Sequence, residues 1–377
     1  IGRKKQKVKI TDLTITLFKW EEIPTGIAKR HTGAIGGNSQ LGLVTISTDK
    51  GIEGHAFLGS SGRSAEFDCG SLIHYLKPII VGQNPLNRER IYDTMIQISR
   101  NTTLRAVGAV DVALWDLAGK IAGLPIHQLL GTYRDSIPAY VSSPRLADAN
   151  AYAAEAVEYQ AKGLQGYKIH PPAQTVEEDI EICAAVRDAV GDKFKLMLDS
   201  IWAYDYTQAL EVGKAIQNLN YYWYEDPLPS DDIFNYVKLK ERLEIPIMAT
   251  ENSPGGFTAY APWLVAQATD YLRGDVAVKG GITAVMKTAH LAEAFHTNYE
   301  IHHGGNSLNN IANLHASMAI RNTEYFEILL PAAAQKYGLL EEAEPDANGI
   351  MHAINEPGLG AKIDFDLIQR KKTAVLK

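Results

Sequence analysis

Short apolar segments alternate with longer amphipathic ones through most of the chain after residue 133. The short segments are rich in β-branched and aromatic residues, which predicts strands. They span residues 136–143, 166–170, 194–200, 221–227, 245–252, 271–278, 299–303 and 325–330. Between them, apolar residues recur at helical spacing, for example in 176–190 and 282–295. This alternation predicts a parallel α/β barrel, with a doubly wound open sheet as the alternative that seldom needs so many units.

The first part of the chain has a different pattern. Residues 8–20 and 41–54 alternate between apolar and polar side chains, as antiparallel strands do. Residues 106–131 have helical spacing, so this part predicts an α+β region. The glycine-rich segment 33–42 lacks the lysine or the GxGxxG pattern of a phosphate site. We expect it to belong to a loop that covers the barrel.

Composition narrows the possible partners. A net charge of -7 argues against nucleic acid or an anionic membrane as the main partner. No apolar run approaches the roughly 20 residues that span a bilayer, and no signal-peptide core follows the basic opening segment. Cys69 and Cys183 lie far apart without a CxxC pattern, which favours a reducing compartment and no structural zinc. We therefore expect a cytoplasmic protein that acts on a small molecule and, as symmetric assembly is common, forms a homo-oligomer.

Polar residues close the predicted strands at regular intervals of 31, 26, 26, 24, 27 and 25 residues. They are Lys168, Asp199, Glu225, Glu251, Asp275, His302 and Glu327. One strand, one helix and two loops take about this length of chain. In a barrel these side chains would meet at the C-terminal mouth, where barrel enzymes keep their chemistry.

Three consecutive strand ends carry carboxylates: Asp199, Glu225 and Glu251. One such carboxylate alone is more often a helix cap or an ion pair. Three that converge repel one another unless a cation or protons intervene, and oxygen ligands suit a hard ion such as Mg²⁺. The sequence therefore predicts a Mg²⁺ site.

Basic residues flank this predicted site on both sides. Lys168 and His170 precede it, whereas Asp275 and His302 follow it, and an aspartate beside a histidine fixes the histidine tautomer. Lys168 could instead simply pair with Asp199. A divalent ion between two basic groups suits removal of a proton next to a carboxylate, because the enediolate that forms has two charged oxygens.

The motifs together resemble the enolase superfamily and, within it, the mandelate racemase group, along nearly the whole chain. The resemblance rests on "AVDVALWDLAGKIAGLPIHQLLG", "KIH", "LMLDS", "WYEDPLP", "ATEN", "RGDVAVKGGIT" and "IHHGGNSLNNIANLH". It implies a modified TIM barrel, (β/α)7β, over residues 135–330. It also implies an α+β capping domain built from residues 1–134 and the returning segment 331–377. Mg²⁺ bound by the three carboxylates and abstraction of the proton α to a carboxylate are implied as well.

The resemblance also suggests individual roles. Its position in the motif favours His302 as the dyad histidine beside Asp275, with His303 as the alternative. Glu327 matches an acid that hydrogen-bonds the substrate carboxylate in this family, and an ion pair is its other possible role. Candidate substrate contacts are Arg30, His31, Asn252 and His303.

His170 stands where the racemase pattern has a second lysine, so it can be a base, an acid or only a substrate contact. Without the second lysine, symmetric racemisation is less well supported, and loss of a hydroxyl demands less of this side of the site. We therefore expect dehydration of an acid sugar, an aldonate or aldarate, to a 2-keto-3-deoxy acid. The alternative is a racemase, epimerase or cycloisomerase of a hydroxy acid or lactone. From another class, a metal-independent barrel glycosidase could use Glu225 and Glu251 as its carboxylate pair.

Overall fold

The structure, a computed structural model, describes residues 8–26 and 36–377. Its strands are β1 (Ile10–Ile23), β2 (Gly37–Thr48), β3 (Glu53–Leu58), β4 (Ser136–Ser142), β5 (Gly166–Ile169), β6 (Lys195–Asp199), β7 (Trp223–Glu225), β8 (Ile247–Ala249), β9 (Tyr271–Gly274), β10 (Asn298–Ile301), β11 (Phe326–Leu329), β12 (Ile350–His352) and β13 (Lys372–Leu376). Its α-helices are α1 (Glu66–Ser71), α2 (Lys77–Ile80), α3 (Arg88–Gln97), α4 (Leu104–Ala122), α5 (Ile126–Leu130), α6 (Ala149–Ala161), α7 (Val176–Val190), α8 (Tyr206–Asn218), α9 (Ile233–Lys240), α10 (Ala261–Val265), α11 (Ile282–Ala294), α12 (Ser307–Ala319) and α13 (Phe365–Lys371).

Strands β4 to β11 form a parallel, nearly closed barrel sheet in the order β10-β9-β8-β7-β6-β5-β4-β11. The seven helices α6 to α12 follow the strands in turn. A separate antiparallel sheet has the order β13-β1-β2-β3. The predicted (β/α)7β barrel with an α+β cap is therefore confirmed. No helix among the described residues combines the length and the apolar character that crossing a bilayer requires.

The barrel has one seam. Within the described residues, no strand ladder pairs β10 with β11. Side-chain carboxylates bridge the two strands instead: Glu300 accepts hydrogen bonds from the Glu324 amide (3.0 Å) and the Thr323 hydroxyl (3.1 Å). On the other side of the seam, Glu327 accepts the His303 amide at 2.8 Å. Where the barrel closes, carboxylates thus act as acceptors beside the Asn322 carbonyl, which accepts the Tyr299 amide at 2.7 Å.

Helix α4 connects the capping sheet to the barrel. It is buried along most of its length and packs against both β3 and α11. Its Asp111 accepts hydrogen bonds from the amide and hydroxyl of Thr283 at the start of α11 (2.8 and 2.6 Å). A Cβ at Gly108 would lie 2.4 Å from the Val276 carbonyl oxygen, so only glycine permits this close approach. The capping helix therefore rests on the loop that follows β9.

Candidate active site

The three predicted carboxylates converge at the C-terminal end of the barrel. Asp199 and Glu225 are the last residues of β6 and β7, and Glu251 follows β8 by two residues. Each offers an oxygen atom, and these atoms lie within 4.8 Å of one another. Asp199 and Glu225 are buried, and Glu251 is half-buried. Because buried carboxylates at this separation repel one another, the cluster fits a hard divalent cation with oxygen ligands.

Backbone contacts between successive strand ends hold these carboxylates in place. The amide of Ser200 donates to the Glu225 carbonyl (3.1 Å), and the amide of Trp202 donates to the Asp226 carbonyl (2.7 Å). Several residues next to the carboxylates have left-handed backbone angles: Ile201 (φ 47°), Trp202 (57°), Asp226 (41°) and Thr250 (90°). Such angles cost energy for residues other than glycine and concentrate at functional sites.

Beneath the mouth lies a buried group of four charges, which we call the floor cluster: Lys168, Glu225, Arg273 and Glu327. Lys168, Glu225 and Arg273 have no exposed surface, and Glu327 is 2% exposed. The Lys168 ammonium is 3.0 Å from both Glu225 oxygens and 2.8 Å from Glu327 Oε1. Arg273 contacts Glu225 through Nε and donates to Glu327 through Nη2 at 2.6 Å. Each acid of the cluster therefore touches both cations.

The floor cluster contains two candidate residues whose roles the sequence left open. Lys168 and Glu327 lie inside β5 and β11, below the strand ends, and neither lines the cavity at the mouth. Burial alone would raise the pKa of Glu327, but Arg273 and Lys168 hold it well below its usual range. Of the two roles that the sequence left open for each residue, the ion pair is the one that this geometry favours.

His302 and Asp275 form a hydrogen-bonded pair at the mouth. Imidazole Nδ1 of His302 is 2.6 Å from Asp275 Oδ2, and Nε2 points toward Glu251 at 3.4 Å. Asp275 is fixed in turn, since its Oδ1 accepts the amides of Ala277 and Val278. Burial lowers the pKa of His302, but Glu251 and the hydrogen bond to Asp275 more than offset it and raise the pKa to about 9.

His170 lies on the opposite side of the carboxylates. Its Nδ1 is 2.7 Å from the Ser143 carbonyl oxygen, which can only accept, so Nδ1 carries a hydrogen. Its Nε2 is 2.9 Å from Asp199 Oδ2. Two imidazoles thus flank the carboxylate cluster, His170 at Asp199 and His302 at Glu251.

The other sequence candidates have different surroundings. His303 is buried, its Nδ1 accepts the Gly305 amide at 3.0 Å, and burial lowers its pKa to about 4. His302 rather than His303 therefore contacts Asp275. Asn252 donates to Glu251 Oε1 at 2.7 Å and so contacts a carboxylate of the cluster. Arg30 and His31 lie outside the described residues.

A cavity of about 350 Å³ opens between the mouth and the cap. Asp199, Glu251, His170 and His302 line its barrel side, and Ser60 lines it from the loop after β3. Its size falls within the usual range for a small-molecule site. We call its lining the rim, in contrast to the floor cluster below.

Sequence reasoning missed three charged residues here: Asp226, Arg145 and Arg273. Asp226 lines the cavity beside Glu225, and burial with nearby carboxylates raises its pKa well above the ordinary value. Arg145 lines the cavity from the loop after β4. Arg273 lies two positions before Asp275, so the period of two along a strand was a signal for it.

The chain matches two family models. Residues 11–131 match the mandelate racemase / muconate lactonizing enzyme N-terminal domain, and residues 151–367 match the enolase C-terminal domain-like family. The arabinonate dehydratase of Saccharolobus solfataricus is 28% identical over 88% of this chain and 91% of its own length. The D-galactarolactone cycloisomerase of Agrobacterium fabrum is 28% identical over 86% of this chain and 89% of its own length.

A solved structure extends the likeness to three dimensions. D-glucarate dehydratase from Agrobacterium tumefaciens, complexed with magnesium, is 32% identical with a TM-score of 0.88. The match covers 97% of this chain and 99% of that one. Sequence, fold and the arrangement of strand-end residues agree: the chain belongs to the enolase superfamily, in the group of mandelate racemase and muconate lactonizing enzyme.

Proposed function

We propose that the protein is a Mg²⁺-dependent dehydratase that converts an acid sugar, an aldonate or aldarate, to a 2-keto-3-deoxy acid. One observation carries the proposal: two imidazoles flank a cluster of three carboxylates from opposite sides, His302 near Glu251 and His170 near Asp199. Elimination of water needs one group to take a proton from carbon and another to protonate the departing hydroxide. The dehydratases among the relatives support the same choice.

Asp199, Glu225 and Glu251 would hold the Mg²⁺ ion. Their oxygen-only donor set and their mutual repulsion both favour a hard dication. When bound, the ion supplies positive charge that stabilises the enediolate formed from the substrate carboxylate. In the floor cluster, Lys168 and Arg273 hold Glu225 in position beneath the site. Burial raises the pKa of Glu225, and the two cations oppose that rise.

The protein's own residues would move the protons. Asp275 holds His302 through Nδ1, so that Nε2 faces the cavity. The Ser143 carbonyl likewise fixes Nδ1 of His170 and leaves Nε2 as the reactive nitrogen. One imidazole breaks the C–H bond α to the carboxylate, and the electron pair passes into the carboxylate to give the enediolate. The pair then returns to form the C=C bond as the β-hydroxyl leaves. The other imidazole protonates that hydroxyl, and the enol product becomes the 2-keto acid.

The test is a screen of the purified protein with Mg²⁺ against aldonates and aldarates, with detection of 2-keto acids and parallel samples in EDTA. Turnover that requires Mg²⁺ and is lost in His302→Asn is the expected result. Turnover that is unchanged in His302→Asn would contradict the assignment. Deuterium uptake at the α carbon in D₂O, measured with His302→Asn and with His170→Asn, identifies which imidazole removes the proton.

A second candidate function is epimerisation or cycloisomerisation. The observation in its favour is the cycloisomerase among the relatives, which matches about as much of the chain as the dehydratase does. Proton exchange in D₂O without loss of water would support it. The glycosidase alternative is weaker, since Glu225 is fully buried between two cations and cannot reach a glycosidic bond.

The proposal extends to the organisation of the protein. We propose that residues 1–134 and 331–377 make the capping domain and residues 135–330 the barrel domain. The pairing of β13 with β1 supports this division for the end of the chain, whereas β12 pairs with β4 of the barrel. A homo-oligomer in the cytoplasm completes the proposal, and size-exclusion chromatography with light scattering tests the oligomeric state.

A further inference from the structure

Arg145 brings a positive charge to the lining of the cavity. Among the described residues that line it, Arg145 is the only arginine or lysine. It lies on the loop after β4, beside His170, and is half-buried. The described wall is otherwise largely apolar away from the mouth, with Ile201, Trp202 and Leu329 among its residues. A guanidinium in such surroundings favours an anionic ligand, because it has lost part of its hydration.

The residues on both sides of Arg145 are tied to His170. Before it, Ser143 accepts the His170 amide through Oγ (3.1 Å) and His170 Nδ1 through its carbonyl (2.7 Å). After it, the amide of Leu146 donates to the Tyr152 hydroxyl at 2.9 Å. That hydroxyl donates to the His170 carbonyl at 2.7 Å. The backbone of Arg145 is therefore held at a fixed position relative to His170, as a substrate-positioning group requires.

We propose that Arg145 binds the second carboxylate of a dicarboxylic acid sugar, so that the enzyme prefers aldarates to aldonates. This inference rests on the proposed function. With the reacting carboxylate at the three-carboxylate cluster, the carbon chain extends into the cavity away from it. Arginine binds a carboxylate through two parallel hydrogen bonds, which a neutral hydroxymethyl end cannot replace. Burial lowers the pKa of Arg145, and Tyr152 and Asp199 partly offset this effect.

The experiment compares acids that differ only at the far end of the chain: D-glucarate with D-gluconate, and galactarate with D-galactonate. Steady-state kinetics with Mg²⁺ are measured for the wild type, Arg145→Met and Arg145→Lys. In the wild type we expect kcat/KM for the preferred aldarate to exceed that of its aldonate by on the order of 100-fold. In Arg145→Met this preference should fall to within about threefold, mainly through a higher KM for the aldarate. Arg145→Lys should keep an intermediate preference, since it retains charge but not the paired geometry.

Two results would overturn the inference without touching the dehydratase proposal. One is equal turnover of aldonates and aldarates by the wild type. The other is an equal loss of both classes in Arg145→Met, which would assign Arg145 to the reacting carboxylate or to a purely structural role. Thermal unfolding of both variants separates folding defects from specificity.

Direct binding gives a readout that does not depend on turnover. Calorimetric titration of the same four acids, with Mg²⁺ present, is carried out on His302→Asn and on His302→Asn combined with Arg145→Met. Tighter binding of the aldarates that disappears in the double variant supports the anchor even if no acid is dehydrated. Absence of any preference in His302→Asn would refute it.

Discussion

The floor cluster and the rim contain the same kinds of side chain, yet they differ in what those side chains can do. Lys168, Glu225 and Glu327 are enclosed, and each touches an opposite charge within the protein. His170 and His302 lie at strand ends a short distance above and face the cavity. A shift of one or two positions along a strand thus separates residues that balance charge from residues that can meet a substrate.

The comparison predicts that rim variants change chemistry and floor variants change stability. Solvation explains the difference. A buried charge that loses its partner keeps its full desolvation cost, whereas a rim residue faces a cavity that water can enter. The following predictions test this division, from the largest expected effect to the smallest.

The largest effect is expected at the rim, in the rate of the reaction. His302→Asn should lower kcat by about 10²- to 10⁴-fold, because it removes the proposed proton-transfer group, while the free energy of unfolding should fall by less than the roughly 3–5 kcal/mol that breaking a buried ion pair costs. Its matched control is His303→Asn, which changes the adjacent residue that does not line the cavity. Steady-state kinetics and urea unfolding measure both quantities. A larger rate loss in His303→Asn would reverse the assignment of the dyad histidine.

A floor variant should show the opposite behaviour. Arg273→Met leaves Glu225 and Glu327 with Lys168 as their one remaining cation in the floor cluster. Breaking a buried ion pair from one side costs about 3–5 kcal/mol, so the free energy of unfolding should fall by about this amount. Arg145→Met provides the matched control on the rim and should cost less than about 1 kcal/mol. Equal losses in urea unfolding would show that depth does not separate the two regions.

Asp111 tests what a buried carboxylate does outside the floor cluster. Burial raises its pKa to about 7, although the hydrogen bonds from Thr283 oppose the rise. Because the folded pKa is above the unfolded one, its contribution to stability is fully present below about pH 4 and is lost as the pH rises through 7.

Asp111→Asn can accept the Thr283 amide through Oδ1 and donate from Nδ2 to the Thr283 hydroxyl, but it cannot ionise. It should therefore be more stable than the wild type at pH 8, by up to about 4 kcal/mol, and not at pH 4. Urea unfolding at the two pH values measures this difference. A difference between the two proteins that does not depend on pH would contradict the prediction.

The smallest expected effect is stabilisation by Mg²⁺, whose proposed ligands belong to both the rim and the floor cluster. Mg²⁺ added to EDTA-treated protein should stabilise it by about 2.7 kcal/mol when the free ion is at 100 times its Kd. Asp199→Asn should lose most of this gain, because it removes the negative charge of one of the three proposed ligands. Thermal unfolding with and without the ion provides the measurement. An equal gain in Asp199→Asn would place the ion elsewhere.

Sequence periodicity predicted the barrel because strand ends recur wherever a strand, a helix and their loops repeat. For the same reason it predicted that Asp199, Glu225 and Glu251 would meet. Periodicity did not predict how deep each side chain lies in the barrel. Lys168 and Glu327 close apolar runs in the sequence, but they lie inside their strands. The sequence also predicted strands that are longer than the observed ones. In the run 245–252, only the three residues of β8 form a strand.

Charged residues without a pattern were missed for a different reason. Arg145 is on a loop, where no period of two or 3.6 indicates which way a side chain points. Arg273 stands within an apolar run, and its acidic partners come from strands that are distant in sequence. Such partners become visible only when the strands are placed side by side. The division of the chain at residues 134 and 330 stays a prediction.

The seam between β10 and β11 has a consequence for hydrogen exchange. Here the amides of Glu324 and His303 are protected by the carboxylates of Glu300 and Glu327 rather than by a strand ladder. The other barrel strands must break a ladder to expose their amides, so the first subglobal opening of the barrel should occur at this seam. Since β10 leads directly into His302, this local opening of the barrel would begin beside the proposed proton-transfer group.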